Sequence, residues 1–298
     1  MAQVTLLDGG MGQELLLRAG DSPTPLWSTQ VMMDHPGLVE DVHRAYFEAG
    51  ATVATTNTYA VHHDRLIRAG IDGLFEELHR AALGEALRAR DESGGGRIAG
   101  SIGPLRASYR PDLHPPHDEA VALYREIAQI HAPVVDLILC ETVASVAHVR
   151  SVLDAAKSAG RPVWLALTLD DENGLHLRSG ETVSEALAVA EANGADAILA
   201  NCSVPEVMAA ALDVFATGEL PFGAYANGFT HIASGFLSDA PTVDVLSARK
   251  DLSAVEYAEF TLRWINQGAT IVGGCCEVGP KQILEVYRML VAEGHEIV

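Results

Sequence analysis

The chain has 298 residues, 48% of them hydrophobic and 20% charged, a globular composition that excludes disorder along its whole length. Twenty Lys and Arg against forty Asp and Glu give a net charge of −20 and a pI of 4.8, which argues against nucleic acid or an anionic membrane surface as a partner. Four cysteines are too few for a disulfide scaffold, no apolar run reaches the roughly 18 residues of a membrane span, and residues 1–8 do not read as a secretory signal, so the expected setting is the cytoplasm with reduced thiols.

In chain order, short runs rich in Val, Ile and Leu are expected as strands at 4–8, 52–56, 97–101, 137–140, 163–168, 195–200, 222–226 and 270–273. Each is apolar on both faces and ends in turn residues, as buried parallel strands do. Amphipathic stretches at 36–49, 72–89, 118–131, 144–159, 182–193, 204–217, 253–267 and 280–293 are expected as helices. Leu38, Val42, Ala45, Tyr46 and Ala49 make one apolar stripe; Leu74, Leu78, Ala81, Ala82, Ala86 and Ala89 make another. Ser253 reads as an N-cap, Pro280 as a first-turn proline, and Gly160 and Gly194 as helix stops. Eight strands alternating with eight helices predict an α/β fold, a single (β/α)8 TIM barrel domain over residues 1–298; a doubly wound open sheet is the alternative. The longest irregular stretch, 227–251, is expected as a binding loop or lid.

A barrel gathers the C-terminal ends of its strands at one mouth. Three cysteines fall at such ends: Cys202 after the sixth strand, Cys275 and Cys276 after the eighth. Three convergent thiolates suit Zn²⁺ and leave its fourth position open; buried apolar thiols or a strained vicinal disulfide are the other readings. Adjacent cysteines reach one ion only where the strand has already ended, and Gly273-Gly274 permits that. Three thiolates and Zn²⁺ sum to −1, which makes a poor Lewis acid toward water and a good carrier for a substrate thiolate, so alkyl transfer to sulfur is favoured over hydrolysis. Asp8 and Glu141, each at a strand end, can hold an ammonium group, and backbone N–H groups near Gly9-Gly10 and Thr56-Asn57 can hold a carboxylate; taken singly, each acid reads equally as a helix cap or a solvated loop residue.

DGGMGQEL (8–15), PLWS (25–28), TTNTY (55–59), GSIGP (100–104), CET (140–142), NCS (201–203) and GGCCEVGP (273–280) together resemble the homocysteine S-methyltransferase family, in its order and across nearly the whole chain. The resemblance implies a (β/α)8 barrel with zinc on Cys202, Cys275 and Cys276 as the catalytic centre, and homocysteine held through Asp8 and Glu141 with Gly9, Thr56, Asn57 and Asn201 in the same pocket. The methyl donor would be a sulfonium or quaternary ammonium compound, such as S-methylmethionine, S-adenosylmethionine or a betaine, and the product methionine. After the seventh strand this chain reads Tyr225-Ala226-Asn227-Gly228-Phe229, where many S-methylmethionine-using members carry a Pro-Asn-Ser-Gly-Glu-like run, and the C-terminal extension with which betaine-using animal enzymes tetramerise is not expected. A monomer or small homo-oligomer is expected.

Trp27 and Tyr59 are candidates for an aromatic box around an onium methyl, or for ordinary packing. His62, His63, His114 and His117 are expected as solvated loop residues, and Cys140 as part of the barrel wall. No phosphate-binding or dinucleotide glycine motif is present, so no nucleotide cofactor is expected. A zinc hydrolase on the same barrel, a methyltransferase for another thiol or selenol, and a non-catalytic metal- or thiol-binding protein are the competing readings.

Overall fold

Strands that are apolar on both faces need cover on both, and the chain supplies it by closing its strands into a ring with helices outside. The computed structural model describes residues 1–232, 234–237 and 246–298. Eight strands follow in order: β1 (Gln3–Leu6), β2 (Val53–Thr55), β3 (Arg97–Ile102), β4 (Leu137–Val143), β5 (Val163–Leu167), β6 (Ala197–Asn201), β7 (Phe222–Tyr225) and β8 (Ile271–Val272). β2 through β8 and then β1 lie side by side, all parallel. Between β1 and β2 the Thr52 N–H donates to Leu6 O at 2.7 Å and the Asp8 N–H to Val53 O at 3.1 Å, with Leu7 bridged to Val53, so the ring is closed. This is the expected TIM barrel, and the open-sheet alternative falls.

Alternation along the strands divides the core in two. Leu7, Val53, Leu139, Leu199, Tyr225 and Ile271 face the lumen, while Leu6, Ile138, Cys140, Ile198, Ala224 and Val272 pack outward against the helices. Cys140 therefore belongs to the barrel wall, as expected.

The outer helices are α3 (Leu38–Glu48), α5 (Phe75–Glu92), α6 (His117–His131), α7 (Val146–Ala156), α8 (Val183–Ala192), α9 (Pro205–Phe215), α10 (Ala254–Asn266) and α11 (Pro280–Ala292), one to each expected stretch. Ser253 caps α10 in a full capping box, Pro280 opens α11, and Gly160 and Gly194 take positive φ past their helices. The stripe expected on the second helix is out of phase at one end. Leu74 closes a separate 3₁₀ turn, Ala81 is exposed, and Phe75, His79 and Leu83 share the buried face instead.

Three helices were not expected: α1 (Met11–Ala19) and α2 (Ser28–Asp34) between β1 and α3, and α4 (His63–Ala69) after β2. Each has nine residues or fewer, too short for a periodic stripe to stand out. A ninth strand, β9 (Glu296–Ile297), adds in parallel to the outer part of β1 through Gln3 and Val4. Part of the expected loop 227–251, at positions 233 and 238–245, lies outside the described residues. The rest is tied down by the Thr230 N–H on Ser247 O at 3.0 Å and the Arg249 N–H on Gly228 O at 2.8 Å. Among the described residues no helix is long and apolar enough to cross a membrane.

Candidate metal centre and acceptor pocket

Strand periodicity alone would point Cys202 away from the mouth, because Ala197, Leu199 and Asn201 alternate with the outward Ile198 and Ala200. Cys202 instead adopts φ 50°, a left-handed conformation that a non-glycine residue rarely takes, and its sulfur faces Cys275 and Cys276. Across the mouth β8 is only two residues long, and Gly273-Gly274 starts a turn at once. The Gly274 N–H donates to Asp8 O and the Cys275 N–H to Ala226 O, both at 2.9 Å, and the Gly228 N–H donates to Cys276 O at 2.8 Å. The loops after β1 and β7 thus hold the vicinal cysteines.

The three sulfurs lie within 4.8 Å of one another. Cys202 and Cys276 are 3.9 Å apart, close to the roughly 3.8 Å that two sulfurs span on a tetrahedral zinc with bonds of about 2.3 Å. Cys202 and Cys275 are closer, at 2.8 Å, and would part by about 1 Å around an ion of that radius. A sulfur-only donor set of this spacing fits a soft tetrahedral cation. Hydrogen bonds from Cys275, Cys276 and Tyr109 hold the Cys202 thiol well below its ordinary range, and donating to Cys202 pushes the Cys275 and Cys276 thiols up. The Tyr109 hydroxyl lies 3.1 Å from the Cys202 sulfur.

The trio opens onto a cavity of about 790 Å³ whose wall includes Asp8, Gly9, Thr56, Asn57 and Glu141. Asp8 is 2% exposed and accepts the Thr55 N–H at 2.7 Å. Burial raises its carboxyl to about 8, against the opposing hydrogen bond from Thr55 and with help from the Glu141 charge. Glu141 accepts the Tyr225 hydroxyl at 2.9 Å and the Ser101 hydroxyl on its other oxygen. Burial carries it up to about 7 although both bonds favour the ionised form. Two buried acids with few charges to pair them are a receptor for a cation.

Glu141 sits where β4 slips register against β5 between Cys140 and Val143, and Thr142 there has φ 57°. Asn201 fixes this bulge: its amide oxygen accepts the Thr142 N–H at 3.1 Å and its amide nitrogen donates to Thr142 Oγ1 at 3.2 Å. Asn201 is not on the cavity wall. Thr56 is on the wall, but its hydroxyl accepts the Ser101 N–H at 3.0 Å and its own N–H donates to Ala99 O. The Gly10 N–H is likewise committed, to Val278 O. Of the backbone donors expected to hold a carboxylate, Gly9 and Asn57 remain. Gly9 also has a packing reason, since a Cβ there would lie 2.1 Å from Val278 O, in the loop after the cysteines. The Asn57 side chain turns away to Ser28 O at 3.3 Å, tying β2 to α2.

The family model for homocysteine S-methyltransferase matches residues 5–290. The chain belongs to that family. It is 28% identical over 300 residues to the homocysteine S-methyltransferase of Escherichia coli, covering 94% of this chain and 93% of that one. It is 26% identical over 325 residues to the selenocysteine methyltransferase of Astragalus bisulcatus, covering 97% and 93%. The fold superposes on the crystal structure of the E. coli homocysteine methyltransferase MmuM in its metallated form with a TM-score of 0.81, at 24% identity and 96% coverage of both chains.

This member of the homocysteine S-methyltransferase family is therefore an enzyme built for methyl transfer to homocysteine, with its three cysteines gathered as the sequence implied. Trp27 and Tyr59 both line the cavity, edge to face with ring centres 6.2 Å apart. Gly12 makes room for the indole, because a Cβ there would lie 2.1 Å from it. Tyr109, Tyr225 and Ser101 are site residues that sequence reasoning missed. For Tyr225 the signal was present: it follows Gly223 by two positions on a strand whose other face packs on helices. For Tyr109, in an irregular loop, there was none. One expectation is corrected. His62 is not solvated but buried at 1% exposure, beside Tyr124, and His114 stacks on the buried His148. These rings fill the layer between β3 and its helices, where burial keeps them neutral.

Proposed function

We propose that the protein is a zinc-dependent homocysteine S-methyltransferase that makes methionine, taking the methyl group from a sulfonium or quaternary ammonium donor. The barrel, residues 1–298, is the catalytic domain, working in the cytoplasm as a monomer or small homo-oligomer. The observation that carries the reading is the meeting of Cys202, Cys275 and Cys276 on one wall of a cavity that also presents the buried acids Asp8 and Glu141.

Cys202, Cys275 and Cys276 would hold the ion. When bound there, zinc supplies a positive centre that keeps an incoming thiol ionised at neutral pH. The residues of the chain do the rest. Asp8 and Glu141 receive the homocysteine ammonium, and its charge draws both acids into the ionised form that burial disfavours. Tyr225 and Ser101 hold the Glu141 carboxylate in one orientation. Asn201 and Thr142 keep the bulge that aims it. With the amino acid anchored at one end, its sulfur is presented to the cavity that Trp27 and Tyr59 also line, where the two rings can face an onium methyl. The sulfur lone pair forms the new S–CH₃ bond in line as the C–S⁺ or C–N⁺ bond breaks, and the electron pair of that bond returns to the donor as a neutral thioether or tertiary amine. The chain needs no general base at this step, because a thiol held at the metal would already have lost its proton to solvent.

Incubation of zinc-loaded protein with homocysteine and each of S-methylmethionine, S-adenosylmethionine and betaine, assayed for methionine, tests the proposal. Methionine with at least one donor is expected; none with any donor refutes it. Likeness to a selenocysteine methyltransferase supports a second acceptor reading. The same assay with selenocysteine or cysteine as acceptor separates it by the ratio of kcat/KM values.

A further inference from the structure

The cavity is not uniformly acidic. Beyond the sulfurs and the two buried acids its wall carries Arg65, Arg68, Arg106 and Arg110. Arg106 is paired with Glu119 at 2.9 Å, and Arg110 grips Asp112 and donates to Leu237 O. Arg68 is exposed. Arg65 is different. It is half-buried, and among the described residues its guanidinium has no carboxylate partner, in a chain with twice as many acids as bases. What it does have is a weak bond to Pro104 O at 3.4 Å and the face of Tyr59, with its Cζ 5.8 Å from the ring centre. Its place in the first turn of α4 also sets its charge against the helix dipole, so the helix gains nothing from it.

Tyr59 neighbours this cation and lines the same cavity as the three sulfurs. Its phenol feels the charges of both Cys202 and Arg65, with opposite sign, and its ring meets Trp27 edge to face. The wall is thus polarised: it carries anionic sulfurs, an aromatic surface and a guanidinium that has no carboxylate partner among the described residues. A simple cation would be drawn to the sulfurs with nothing to orient it. A zwitterion with an onium group and a carboxylate would be turned one way only, onium over the aromatic rings and carboxylate on Arg65.

We propose that Arg65 is the receptor for the carboxylate that the methyl donor carries beyond its onium centre. This rests on the methyl-transfer reading above and assigns its donor a positioning residue. Arg65 would act by positioning; it takes no part in bond making.

The test compares S-methylmethionine with its carboxamide, which keeps the sulfonium and loses only the carboxylate charge. In the zinc-loaded wild type, KM for the acid is expected to be at least tenfold below that for the amide. Arg65→Gln should raise KM for the acid at least tenfold, leave KM for the amide within twofold and leave kcat little changed, and Arg65→Lys should recover part of the loss. The amide serves as the folding control within each variant. Titration calorimetry of each donor without homocysteine repeats the comparison without turnover, so it still reads on Arg65 if methionine formation fails. Equal affinities of the wild type for acid and amide, or an Arg65→Gln effect of the same size on both, would overturn the assignment.

Discussion

The Tyr109 hydroxyl donates to the Cys202 sulfur across 3.1 Å, linking two residues from different loops of the barrel mouth. A hydrogen bond to an ionised sulfur is worth about 1.5–3 kcal/mol, and loss of such a partner typically weakens metal binding about 10–100-fold. Tyr109→Phe is therefore expected to weaken zinc affinity by about tenfold or more without abolishing it, as measured by chelator competition. Tyr225→Phe, whose hydroxyl serves Glu141, should leave zinc affinity unchanged.

Cys276→Ser should lose bound metal and methyl transfer together, because two sulfurs cannot replace a three-sulfur site. Cys140→Ala is the matched control: that thiol lies in the outward core, away from the trio. Plasma emission spectrometry on both variants checks this, and full metal occupancy in Cys276→Ser would remove Cys276 from the ligand set.

Homocysteine affinity should rise with pH through neutrality. Burial lifts Asp8 to about 8 and Glu141 to about 7, so below pH 6 both acids are largely neutral in the free enzyme and attract an ammonium group poorly. The affinity ratio of homocysteine to 4-mercaptobutyrate, the same thiol without the amino group, isolates this effect. It is expected to climb between pH 6 and 8, by no more than about tenfold per unit for each linked proton. Glu141→Ala should flatten the profile and weaken homocysteine while retaining zinc.

Gly9 is a packing requirement as much as a site residue. A Cβ there would meet Val278 O at 2.1 Å and the Tyr46 ring at 2.8 Å, and the backbone contact cannot yield as a flexible side chain would. Overpacking of this kind costs about 1–3 kcal/mol. Gly9→Ala should lower Tm by several degrees in a calorimetric scan, with zinc affinity falling as the loop after Cys276 shifts.

The fold should weaken in mild acid. Burial depresses His43 to about 3 and His79 and His114 to about 4, and holds His62, His131 and His148 well below the ordinary range. As pH falls below about 6.5 the unfolded chain gains protons at these six positions and the folded chain does not, so stability drops. Asp8, Glu141 and, more weakly, Glu277 and His63 act in the opposite sense, because the folded chain binds their protons more tightly. Six groups against four, two of them weak, predict a net fall in Tm between pH 6.5 and 4.5. A flat Tm over that range would mean that these rings are not held neutral.

The order of the eight barrel strands and their outer helices, barrel closure and the gathering of Cys202, Cys275 and Cys276 were legible in the sequence. A strand buried on both faces must be apolar along its whole length, and a helix laid on it must be apolar on one stripe, so each pattern is written locally. GGCC and NC carried the centre because no other arrangement in the chain brings that many thiols to strand ends. Tertiary structure alone decided which way these groups point. The left-handed turn at Cys202, the bulge at Thr142 held by Asn201 from 59 residues away, and the Tyr109 bond to a sulfur 93 residues on are agreements between distant segments. So is the stacking of Arg65 on Tyr59. Such contacts leave no periodic trace, because each depends on the closing of the ring and not on the neighbours of either residue.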